Sequence, residues 1–228
     1  MNTFEHLVMF WIITISLIIF ISFAISTLIN YFKYKKIAAL YLALNYVFYI
    51  IGLVFIQIGH YDSYSQGTTT DLYSHASMIA KVFIVAGILM NILFHAKFTE
   101  VNKTWKIIRI VAGIALMGWI LLPFNYTTGP VTGMQMKYVT YLFMAIYGLS
   151  INFGLSYSFF KMARKIKERH KELISLGLGA LAFLLYYILM TIYGLTQNFP
   201  IMIFTMVVLF LAFLFYFIGI YLPKLRHE

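Results

Sequence analysis

A chain of 228 residues that is 62% apolar, with a mean hydropathy of +0.88, has too little polar surface to cover a water-soluble globule. Its net charge of +10 does not point to nucleic acid, because the basic residues alternate with long apolar runs instead of forming one patch. The absence of cysteine excludes disulfides, iron–sulfur clusters and thiolate metal sites.

Seven apolar runs follow in chain order: Leu7–Tyr31, Ile37–Gly59, Ala76–Phe98, Ile107–Phe124, Val139–Ala163, Leu173–Thr196 and Ile201–Leu222. A hydrocarbon core about 30 Å thick takes roughly 20 apolar residues per helix, so each run is read as a span. Lipid offers no partner for backbone N–H and C=O groups, so each run must be helical. A barrel would need alternating segments of about ten residues, and these runs are longer and uniformly apolar. Met1–His6 has no positive n-region and the first run is too long for a signal peptide, so it is read as a retained span with Lys33, Lys35 and Lys36 as its stop-transfer flank. The expected architecture is all-α: one seven-helix transmembrane domain over residues 1–228, with no soluble catalytic domain.

Fifteen of the seventeen lysines and arginines lie in four clusters, Lys33–Lys36, Lys97–Arg109, Lys161–Lys171 and Lys224–Arg226. The alternate connections hold Lys137 alone, with Glu5, Asp62 and Asp71 on the same side. Positive loops stay cytoplasmic, which predicts an outer N-terminus and a cytoplasmic C-terminus. The inner basic clusters would then meet anionic lipid headgroups.

The connections are short. His60–His75 is the longest outer loop expected, Asn125–Tyr138 follows with an Asn125–Tyr126–Thr127 glycosylation pattern, and Gln197–Pro200 is a tight turn. Inside, Lys161–Glu172 lacks any helix breaker and is expected to extend as helix beyond the bilayer. Arg164, Lys165, Lys167 and Arg169 there are the candidate contacts for a cytoplasmic signalling partner. Tyr61, Tyr64, Tyr73, Tyr126 and Tyr138 at one face, and Tyr31, Tyr34 and Trp105 at the other, read as interfacial anchors.

Polar groups inside spans are costly, and each is a candidate site. On the third run Lys81, Gly87, Asn91 and His95 fall on one helical stripe. Lys81 either snorkels towards Asp62, Asp71 or headgroups, or anchors an anionic ligand. Asn45 on the second run and Asn152 on the fifth complete a possible buried amide network with Asn91, as structural glue or as ligand contacts. Tyr186 and Tyr193, seven apart on the sixth run, share a face that packs in the core or lines a pocket.

His6, His60 and His75 occupy the start of the first run, the end of the second and the start of the third. No metal centre is expected, since no close-spaced ligand pair is present. Convergence of the three near Asp62 and Asp71 would be the one route to metal binding or proton sensing. No cofactor and no catalytic constellation emerges, so no enzymatic activity is expected. The seventh run has no lysine for a retinal Schiff base, and none of the four prolines lies mid-span, against proline-hinged sugar carriers.

The basic segment Arg164–Leu173, the glycines Gly177 and Gly179, the turn Asn198–Pro200 and the closing Tyr216–Pro223 followed by Lys224 and Arg226 form a pattern. The last third of the chain thereby resembles the seven-helix N-terminal sensor region of bacterial and archaeal histidine kinases. The sequence ends six residues after Leu222, before any phosphoacceptor helix, so the resemblance implies a sensory module standing alone. A receptor-like protein of the cell membrane is the leading expectation. A small-solute transporter or channel is the first alternative, and an accessory subunit of a larger membrane complex the second.

Overall fold

The computed structural model describes residues 3–67, 70–97, 102–122, 132–196 and 198–221, with the side chains of 132–138 outside that description. Seven α-helices run through the described residues: α1 Thr3–Tyr34, α2 Ile37–Gln66, α3 Asp71–His95, α4 Lys103–Ile120, α5 Thr132–Lys165, α6 His170–Thr196 and α7 Phe199–Tyr221. No strand occurs among the described residues. Asn125–Thr127, the closing 222–228 and the side chains of Lys137 and Tyr138 fall outside the description.

Six helices are long and apolar enough to cross a membrane, α4 being the exception. Only 28% of the most apolar window of α1 is buried, and Ile15, Ile18, Ile25 and Ile29 stand exposed along its outer side. Such a continuous apolar face suits lipid and not water. The chain is a multi-pass membrane protein. Helix α4 is 18 residues long, about 27 Å at 1.5 Å per residue. Lys103, Lys106 and Arg109 in its first two turns set it apart from the other six.

The chain divides into two compact units, Met1–Met144 and Ala145–Glu228. In the first, α2 packs against both α1 and α3, and α4 packs against α3. The buried side of α1 runs His6, Met9, Ile13, Leu17, Phe20, Ala24 and Thr27, the three- and four-residue steps of one helical face. Ser16, Ser22 and Thr27 donate to carbonyls one turn back, at 2.9, 2.9 and 2.7 Å, which satisfies their hydroxyls without a partner helix. Gln57 Nε2 on α2 donates to Thr14 Oγ1 on α1 at 2.6 Å. Trp119 Nε1 on α4 donates to Thr140 Oγ1 on α5 at 3.2 Å, joining α5's first half to this unit.

In the second unit α6 packs along α7. Phe183 stands edge-on to Phe213 with centroids 5.0 Å apart, and Ser175 Oγ donates to the Phe215 carbonyl at 2.8 Å. Gly148 on α5 lies under the Tyr187 ring of α6, so close that a Cβ would come within 2.6 Å of it. Ser156 Oγ reaches the Gly177 carbonyl at 3.3 Å.

Two connections differ from expectation. The expected loop His60–His75 is mostly helix: α2 runs on to Gln66 and α3 already begins at Asp71. Gly67 ends α2 in the left-handed conformation (φ 71°), and Thr70 starts α3 by accepting from the Tyr73 N–H at 3.1 Å. The basic Lys161–Glu172 segment is a corner, not one extended helix. Helix α5 stops at Lys165, Ile166 turns away (φ −110°, ψ 85°), and a 3-10 turn over Lys167–Arg169 leads into α6. His170 Nδ1 lies 2.9 Å from the Ala163 carbonyl, supplying a partner to one of the acceptors that a helix end leaves open.

Candidate functional site

The polar stripe expected on α3 is buried along its length. Lys81, Asn91 and His95 are 3%, 0% and 5% exposed, and Gly87 is buried between them. The Lys81 side chain is buried within the first unit. Its Nζ sits 4.2 Å from the centroid of the Tyr141 ring and 3.5 Å from Met78 Sδ, both within the first unit. A cation over an aromatic face gains about 0.5–2 kcal/mol, which offsets part of its desolvation.

Three turns further along α3, Asn45 Nδ2 donates to Asn91 Oδ1 at 2.9 Å with both side chains fully buried. Gly87 permits this bond. A Cβ there would stand 2.6 Å from the Tyr49 ring and 2.9 Å from Asn45 Oδ1. The pair is not reciprocal: Asn45 Oδ1 and Asn91 Nδ2 have no hydrogen-bond partner among the described residues. One free acceptor and one free donor thus sit beside a made bond, deep in an apolar unit.

Asn152 behaves differently from expectation. Its Nδ2 donates to the Gly148 carbonyl of its own helix at 2.8 Å, not to a neighbouring one. Tyr186 packs edge-on to Tyr187 and Phe183, with centroids 5.1 and 6.5 Å away, so its ring belongs to the aromatic core of the second unit. Both residues lie in that second unit, apart in chain from the Lys81–Asn91 stripe.

Of the three histidines, two meet. His6 Nδ1 and His60 Nδ1 are 2.9 Å apart and fully buried. Tyr73 turns its half-buried ring towards both, at 5.4 and 5.0 Å. His75 is exposed and its Nδ1 lies 2.7 Å from the Asp71 carbonyl of its own helix. No group of three or more metal-ligating side chains forms among the described residues. Sequence position brought all three histidines to one end of the unit. Only helical register separates the pair that converges from the one that does not.

Arg164, Lys165, Lys167 and Arg169 are all exposed at the α5–α6 corner. Arg169 Nε pairs with Glu172 Oε2 at 2.8 Å, and Glu172 itself is buried in the first turn of α6. A carboxylate near a helix N-terminus is favoured by the dipole as well as by the guanidinium. The remaining cations of the corner face outward. No family model, no curated protein and no solved structure matches this chain.

Proposed function

We propose that the chain is a receptor-like, seven-span membrane protein, N-terminus outside and C-terminus cytoplasmic, which relays an outer or intramembrane signal to a cytoplasmic partner. The observation that carries this reading is the buried polar stripe Lys81–Asn91–His95 with Asn45, set in otherwise apolar helices. Buried polar groups in lipid are retained at a cost, and a half-satisfied amide pair is suited to switching between two packings. The exposed basic corner Arg164–Arg169 supplies a surface for an acidic partner or for anionic headgroups. The resemblance of the last third to histidine-kinase sensor regions favours the same reading.

A seventh crossing by α4 rests on its exposed apolar residues, Ile107, Ile108, Val111 and Ile114 among them, which lipid would cover. Its three cations would snorkel to the cytoplasmic headgroups. The test uses the full chain in liposomes with an environment-sensitive dye on Lys167→Cys, in a background free of other cysteines. A stimulus that changes the dye signal, and no longer does so in Lys81→Met, supports sensing through this stripe. Steady anion flux through the same liposomes, lost in Lys81→Met, would replace the receptor reading with a transporter.

A further inference from the structure

The first turns of α1 and α3 and the end of α2 meet around His6. Besides the imidazole pair, Thr3 Oγ1 donates to the Gly67 carbonyl at 3.4 Å, and the Thr70 N–H donates to Ser63 Oγ at 3.3 Å. Gly59 lies so close to Tyr73 that a Cβ would stand 2.9 Å from the Tyr73 Cα. The corner has little room to adjust.

A bond between two Nδ1 atoms requires one to carry a proton and the other to be bare. His60 Nε2 is buried without a hydrogen-bond partner among the described residues. An orphan N–H costs more than an orphan acceptor, so His60 is best protonated on Nδ1 and donates to His6 Nδ1. An added proton then has two places to go. On His6 Nδ1 it meets the His60 N–H head-on and breaks the bond. On His60 Nε2 it makes a charged, buried N–H with no acceptor. Either costs the closed arrangement, so the closed form holds fewer protons than an open, hydrated one.

We propose that the His6–His60 contact is an acid-operated latch that holds the first turns of α1 and α3 to the last two turns of α2, and that opens when the outer medium is acidified. The inference deepens the receptor reading and rests on it for the outward position of this corner. Several charged and titratable groups among the described residues lie around the pair. Burial opposes a charge on both rings, each imidazole opposes a charge on the other, and Glu5 favours one on His6. Tyr73 faces both rings from α3. Asp62 on α2 and Asp71 and His75 on α3 lie at the same end, with Asp71 and His75 exposed. Glu5 offsets part of the cost of charging His6 in the closed form, and burial outweighs it.

Lowering the pH favours whichever state binds more protons. A hydrated imidazole titrates near about 6.5, so each one released shifts the open-to-closed ratio about thirtyfold between pH 8 and pH 5. The test places spin labels at Phe4→Cys on α1 and Leu72→Cys on α3, both exposed, in the full chain in nanodiscs. The expected result is one short distance at pH 8 and a growing longer population at pH 5, lost in the variant His6→Gln/His60→Gln. An unchanged distance between pH 8 and pH 5 in the native pair overturns the proposal, and needs no histidine variant to fold. So does a pH response that survives removal of both histidines. A latch that opens while the dye on Lys167→Cys stays silent upholds the latch and removes the sensory reading. A latch that stays shut while the dye responds does the reverse.

Discussion

Severing the Asn45–Asn91 bond tests whether buried amides organise the first unit. Asn91→Leu removes the acceptor of a 2.9 Å bond and leaves the fully buried Asn45 amide with neither its N–H nor its oxygen paired. An interhelical bond of this kind contributes about 0.6–1.7 kcal/mol in a membrane protein. Stranding a buried amide adds about 1–3 kcal/mol less whatever relaxation recovers, so about 2 kcal/mol in total is expected. Asn45→Leu should cost a similar amount. The double variant should cost less than the sum by about 1 kcal/mol or more, because replacing both partners with apolar groups of like shape strands nothing. Reversible unfolding in mixed micelles measures all three. Additivity within about 0.4 kcal/mol would show that the two side chains do not interact, and would remove the amide pair from the account.

Four further outcomes follow from single contacts. Gly148→Ala should destabilise by about 1–3 kcal/mol in the same assay despite alanine's better helix propensity, because its Cβ would enter the buried Tyr187 ring at 2.6 Å. Lys35 ends α1 with φ 50°, so Lys35→Gly should stabilise by about 0.5–1 kcal/mol, less the small loss of its approach to Phe32 at 5.6 Å. Arg169→Ala should cost no more than about 1 kcal/mol, and its effect should shrink in high salt, since the arginine is 47% exposed. Lys81→Met should keep stability within about 1 kcal/mol of the native chain, lost desolvation cost balancing the lost contact with Tyr141.

The apolar helices were legible because runs of twenty apolar residues leave lipid few alternatives. Their ends were less so. His60–His75 reads as a loop by its Ser, Thr and Gly content, yet Gly67 and Thr70 within it are a helix stop and a helix start, so helix extends into both of its ends. At Ile166 there was no signal: neither proline nor glycine marks the corner, and beyond it Ser156 of α5 meets the Gly177 carbonyl of α6, a contact far apart in sequence. The α3 stripe followed from spacing alone, and the Asn45–Asn91 bond formed as that spacing allowed. Lys81 was undecided in sequence because a long side chain can reach either way, and Tyr141, sixty residues on, supplies the ring that holds it. Asn152 had a nearer acceptor one turn back than any on another helix.

The number and direction of crossings bear on every functional statement, and two exposed positions report both. Ser65 near the end of α2 and Lys167 at the α5–α6 corner lie on opposite faces of the membrane if α4 crosses, and on the same face if it does not. Each is replaced singly by cysteine in the cysteine-free chain and treated with a membrane-impermeant maleimide on intact cells. Seven spans with the N-terminus outside predict that Ser65→Cys is labelled at once and Lys167→Cys only after permeabilisation. Labelling of both positions in intact cells, or of Lys167→Cys alone, would contradict the account.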